Sequence, residues 1–153
     1  MRPFFLFILW CFASAVQAQP TEVFWEDLIP QGYIPPPTDI QHGFEMAQQN
    51  LDAPVVTKFN DKQVKIPGFV VPIEGDQDKI TEFLLVPYFG ACIHVPPPPP
   101  NQIVYVKIPE GVPTVSLSDV IWVVGTLSTE GWNGDLASVG YTLMGEKILP
   151  YDG

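Results

Sequence analysis

Reactive side chains are scarce in this chain. It carries two cysteines, two histidines and seven lysines plus arginines against seventeen acidic residues, for a net charge of −10 over 153 residues. The shortage of positive charge excludes nucleic acid and anionic membrane surfaces as natural partners. The shortage of cysteine excludes a disulfide framework. There is no C-x-x-C, so a dithiol redox cycle within one chain is excluded. No run reaches the roughly 20 apolar residues that a membrane-spanning helix needs, which argues against stable membrane insertion. No internal repeat is present, and the length favours a single domain.

The first eighteen residues read as a secretory signal. Met1-Arg2 is a short basic start, Phe4 to Phe12 an apolar run, and Val16 and Ala18 place small residues at the cleavage offsets. Cleavage is expected after Ala18, giving an exported, periplasmic chain that begins at Gln19 and is one unit more negative. A lipoprotein signal at Cys11 is disfavoured, because bulky Trp10 stands where a small residue is wanted. Cys11 leaves with the signal, so Cys92 has no intramolecular partner. In an oxidising compartment such a thiol is buried, metal-bound, redox-active or dimer-forming.

The pattern of the mature chain predicts a mainly β fold, a small antiparallel barrel with an N-terminal arm and one short helix. Residues 19–53 form the arm and helix and residues 54–153 the barrel. In the arm, Trp25, Leu28 and Ile29 are expected to dock on the main body, and Pro35-Pro36-Pro37 stiffens its exit. Thr38 or Asp39 is placed to cap a helix running to about Gln49.

Strands are expected over Val55–Phe59, Lys62–Ile73, Ile80–Phe89, Gln102–Ile108, Val120–Leu127 and Ala137–Leu149. In the second, Val64, Ile66, Gly68 and Val70 share one face and Phe69 and Val71 the other, with Pro67-Gly68 marking a bulge or sharp bend. In the last, Val139, Tyr141 and Leu143 share a face.

One stretch concentrates the chemistry: FLLVPYFGACIHVPPPPPNQIVYV, Phe83 to Val106. Together with the upstream KIPGFVVPIE and the arm motif WEDLIP, its FLLVPYFGACIHVPPPPPNQ portion resembles a family of exported bacterial proteins of unknown function. The resemblance covers most of the mature chain. It implies an OB-fold-type barrel. It also implies a genomic context beside transport systems that respond to zinc limitation, and so a periplasmic protein or transporter as partner. It implies no catalytic residue.

Cys92 and His94 are the candidate metal ligands. In extended backbone, residues two apart point to one side, where thiolate and imidazole would suit zinc or copper(I). A third ligand would come from Glu26, Asp39, His42 or Glu45. The bland alternative is a packed cysteine and a histidine bonded to a backbone carbonyl. A third reading pairs a nucleophilic thiol with an imidazole base, though no oxyanion-hole signature accompanies it.

The five prolines, Pro96 to Pro100, are either a polyproline ligand or a rigid strap fixing Cys92 and His94. Asn101 and Gln102 are placed to satisfy backbone groups at its end. Tyr88, Phe89, Trp122 and Trp132 are candidates to line a pocket, although Trp122 also reads as core. The functional expectation is a soluble periplasmic binding or accessory module linked to zinc homeostasis or a transporter partner, with the Cys92–His94–polyproline segment as its functional edge. The alternatives are a thiol- or metal-dependent enzyme at Cys92 and a structural envelope protein.

Overall fold

The computed structural model describes residues 19–34, 48, 50–92, 95–114 and 119–152. The helix expected from Thr38 to Gln49 lies almost wholly outside them. Among the described residues, helical structure is confined to three 3-10 turns, Trp25–Leu28, Thr57–Phe59 and Pro100–Gln102. The expected strand at Val55–Phe59 is corrected to one of these turns.

The strands are β1 (Thr21–Glu22), β2 (Lys62–Gly75), β3 (Lys79–Val86), β4 (Val104–Pro113), β5 (Val120–Ser128), β6 (Trp132–Asn133), β7 (Ser138–Val139) and β8 (Tyr141–Pro150). Five of them close a barrel in the order β2-β3-β4-β8-β5, with β5 pairing back to β2. Closure removes the exposed edges that an open sheet would present. Four seams are antiparallel, but β4 and β8 run parallel, which corrects the expectation of a wholly antiparallel barrel.

Strand β2 makes closure feasible because it serves two neighbours. Lys62 to Phe69 pairs with β5, and Phe69 to Gly75 pairs with β3. The handover follows directly after Pro67-Gly68. The ladder to β5 passes through both residues without a register shift, so they do not form a bulge; the irregularities lie at Pro72 to Gly75. Gly68 is required by space. A Cβ there would stand 2.8 Å from both Leu85 Cγ and the Val86 carbonyl oxygen.

Alternation along the strands divides the apolar residues as their period of two demands. Val64, Ile66, Val70, Phe83, Leu85, Val104, Val106, Ile108, Ile121, Val123, Leu127, Tyr141 and Leu143 fill the interior. Leu84, Val86, Val71, Ile103 and Tyr105 face outward, yet they too are buried, under the segments between β3 and β4 and between β5 and β8. Val139 joins this outer cluster rather than the face of Tyr141 and Leu143. Gly140 interrupts the strand there, donating its N–H to the Pro100 carbonyl at 2.7 Å.

The arm docks as its composition demands. Val23 and Leu28 are fully buried in the main core, and Trp25 and Ile29 are half-buried. Trp25 Nε1 donates to the Pro67 carbonyl at 2.7 Å, and β1 lies parallel on β2.

Candidate functional site

The segment from Pro87 to Ile103 leaves the end of β3, makes a tight loop and returns to β4 through the prolines. The loop is built on left-handed backbone: Gly90 has φ +83° and Cys92 φ +65°. For a residue with a Cβ, that region costs about 1–2 kcal/mol. The Val95 N–H donates to the Gly90 carbonyl at 3.3 Å, and Ala91 bridges Val95. Residues two apart share a side only in extended backbone, and Cys92 is not extended. The extended backbone expected across Cys92 and His94 is therefore not present at Cys92. His94 itself lies outside the described residues, as do Asp39, His42 and Glu45.

Cys92 is half-buried and packs against the outer cluster. Burial raises its thiol from the ordinary value to about 11. The neutral thiol is thus the form this environment favours. Tyr88 is also raised, by burial first and by the neighbouring Cys92 second. Glu26 lies in the arm on the 3-10 turn Trp25–Leu28, beside a groove bounded by Asp27, Val55 and Lys58. Among the described residues no group of three or more His, Cys, Asp and Glu is arranged to hold a metal ion.

The prolines behave as a strap. Pro98 and Pro100 are buried, and Pro99 has polyproline II torsions. Their carbonyls are occupied: Pro98 accepts from Gln48 Nε2 at 2.7 Å and Pro100 from the Gly140 N–H. The C-terminal end of the run is thus anchored to the body of the protein, while Pro96 at its start is exposed. Asn101, the buried polar residue among the described residues, donates Nδ2 to the Pro54 carbonyl at 2.9 Å. Gln102 Nε2 donates to the carbonyl of Trp25 at 2.9 Å, tying strap to arm. These two residues satisfy backbone groups as expected.

Earlier in the same segment, Tyr88, Phe89 and Val95 are exposed by 42%, 55% and 40%. One segment thus joins buried, hydrogen-bonded residues at its end to an apolar, solvent-facing knuckle at its start. Of the four aromatics expected to line a pocket, Tyr88 is exposed and the other three are engaged with different partners. Phe89 meets Phe69 edge-on at 6.1 Å, Trp132 stacks on Tyr105 at 4.4 Å, and Trp122 packs between Phe24 and Tyr151. Trp122 is buried but on the barrel's outer side.

Two features carry no signal in the sequence. Gln48 clasps two distant segments: its Nε2 donates to the Pro98 and Ser138 carbonyls and its Oε1 accepts from the Ser138 N–H, each at 2.7 Å. Glu82 accepts from the Tyr105 hydroxyl and pairs with Lys107. Its carboxyl is lowered, by Lys107 first and by Tyr105 second. Burial and the bond to Glu82 push Tyr105 up to about 12. Alternation places Tyr105 and Lys107 on one side of β4, and register places Glu82 opposite Lys107. Only the pairing of strands, which the sequence leaves open, brings them together.

A family model described as a protein of unknown function (DUF3299) matches residues 25–150. The crystal structure of a DUF3299 family protein from Pseudomonas aeruginosa PAO1 is similar to this chain, with a TM-score of 0.79 and 43% sequence identity. The match covers 89% of this chain and 99% of that one. No curated protein matches the chain.

Proposed function

The chain belongs to the DUF3299 family of proteins of unknown function, and within it we propose a non-catalytic binding or accessory module of the bacterial periplasm built on an OB-type barrel. The order β2-β3-β4-β8-β5, a first strand shared by two neighbours and a parallel β4–β8 seam support the OB assignment. In such barrels the face of the second and third strands takes ligands. Here those strands are β3 and β4, and their outer side is covered by the chain's own strap and by the β6–β7 hairpin. Binding is thereby shifted to the rim, at the loop from Tyr88 to Pro96.

The observation that carries this reading is the contrast within one segment. Pro98, Pro100 and Asn101 are buried and bonded, while Tyr88, Phe89 and Val95 of the same segment face solvent. Apolar groups held out by a rigid support favour contact with a partner. A half-buried thiol raised by desolvation to about 11 opposes the nucleophile reading, because the thiolate is the reactive form.

Within this edge Cys92 and His94 are the proposed ligands for zinc or copper(I), with further ligands supplied by a periplasmic or transporter partner. A metal would have to displace the thiol proton, so affinity in isolation is weak and rises with pH. Calorimetry with zinc on the reduced chain from Gln19, with Cys92→Ser and His94→Ala, tests the pair. Weaker binding in both variants is expected. Equal affinity in all three proteins would remove the metal role.

A further inference from the structure

An apolar belt crosses the barrel on the side of β2 and β5, away from the covered β4 surface. Strand register makes its members neighbours. Phe69 stands opposite Val120, Pro67 opposite Trp122, and Trp122 opposite Leu149. Residues on one strand at intervals of two, and their direct partners, share one side. Onto this row pack Phe89 against Phe69, and Phe24 and Tyr151 against Trp122, at 6.1, 5.7 and 5.4 Å between ring centroids. Phe24, Phe89, Leu149 and Tyr151 remain exposed. Pro67 and Trp122 at the middle of the row are buried, so the solvent-facing part is the cluster of Phe24, Leu149 and Tyr151 around Trp122, and grouped apolar side chains mark an interaction site more often than scattered single residues do.

The belt also has an indentation. A cavity of about 580 Å³ opens between the ends of β5 and β8, walled by Val120, Ile121, Ile148, Leu149 and Tyr151, with Asp119 in its lining. Its volume exceeds that of one side chain, and its apolar lining suits an anchor side chain together with its flanking residues, the usual centre of a protein interface. Charge around it is negative. Asp152 accepts from Trp122 Nε1 at 3.1 Å. Lys65 does not offset it, because that ammonium is paired with Glu22 at 2.8 Å and sits over the Trp122 ring. Lys147, two residues before Leu149, is the cation on the same side of β8. The net charge of −10 sets the field around the belt as a whole.

We infer that this belt is the docking surface for a protein partner, which inserts one aliphatic or aromatic side chain flanked by Lys or Arg into the cavity. The inference rests on the binding-module reading but not on the metal. Complementary charge would speed the encounter and the apolar anchor would hold it.

The probe is a capped pentapeptide with one leucine between two pairs of lysines, titrated into isotope-labelled protein beginning at Gln19. Amide shifts are expected to gather at residues 119–122 and 148–152. Leu149→Asp is the decisive variant. It adds negative charge while removing the apolar wall, so docking should weaken by about tenfold or more, whereas simple charge attraction would strengthen. Tyr151→Ser, at another exposed position, should weaken it in the same direction and serves if Leu149→Asp fails to fold. Unchanged or tighter binding to the folded variants would overturn the inference. So would shifts scattered over the acidic surface, equal binding of the matching glutamate peptide, or no shift at millimolar peptide. Neither substitution touches Cys92 or His94, so zinc binding by these variants should be unchanged, and the docking surface and the metal edge fail separately.

Discussion

Cys92 joins three conditions that seldom meet at one residue: left-handed backbone, partial burial and a free thiol. The backbone strain has to be held by the surrounding loop, and the bond from the Val95 N–H to the Gly90 carbonyl supplies that closure. Burial keeps the thiol protonated. The pKa is raised from 9.0 to about 11, so at neutral pH the thiolate fraction is about a hundredfold below that of a free cysteine. Alkylation of the folded protein at pH 7 should therefore be slower than that of a denatured control by about that factor. Its rate should climb with pH through 11 rather than level off near 9. Equal rates in folded and denatured protein would contradict the burial of this sulfur. The same shift has a stability consequence. Because the neutral form is favoured on folding, the contribution of Cys92 is full below its unfolded pKa and is lost as pH rises from about 9 towards 11.

Among the elements, β2 decides the architecture, because one strand must leave β5 and take up β3 within its own length. Gly68 sits at that handover with no room for a side chain. Gly68→Val should destabilise the fold by about 1–3 kcal/mol through overpacking against Leu85 and the Val86 carbonyl. An unchanged thermal midpoint would show that the handover tolerates bulk. Much of this was legible in the sequence. The alternation of Val64, Ile66 and Val70 against Phe69 and Val71 assigns both faces of β2 correctly, because a strand's side-chain period is fixed by its backbone. The continuous apolar run Phe83 to Val86 announces burial on both sides of β3. What alternation does not encode is pairing. The parallel β4–β8 seam, the Gln48 clasp and the change of face at Gly140 all depend on contacts between distant segments. The turn at Thr57–Phe59 was hidden for another reason: Val55 and Val56 favour a strand by propensity, but tertiary packing of Phe59 overrides it. At the candidate site, residue identity was readable and backbone shape was not, since nothing local in Gly90-Ala91-Cys92 signals a left-handed cysteine.

At the scale of the whole molecule, the barrel uses its outer β3–β4 surface for its own packing and leaves a knuckle and a belt to solvent. An acidic body with exposed apolar side chains at these places is consistent with the partner-binding role proposed above. Export is expected to remove residues 1–18. Mass spectrometry of protein recovered from a periplasmic extract should find Gln19, free or cyclised, at the N-terminus. An intact Met1 or a lipid on Cys11 would place the protein elsewhere. The central claim is that the Tyr88–Pro96 edge captures a soft metal through Cys92. Its most direct measurement is cobalt(II) titration of the reduced chain from Gln19 at mildly alkaline pH, followed by absorption. A thiolate–cobalt bond gives a ligand-to-metal charge-transfer band that oxygen and nitrogen ligands do not. The band should appear in the native chain, weaken in His94→Ala, vanish in Cys92→Ser and be displaced by zinc. Its absence from the native chain, with cobalt present in excess, would contradict the claim.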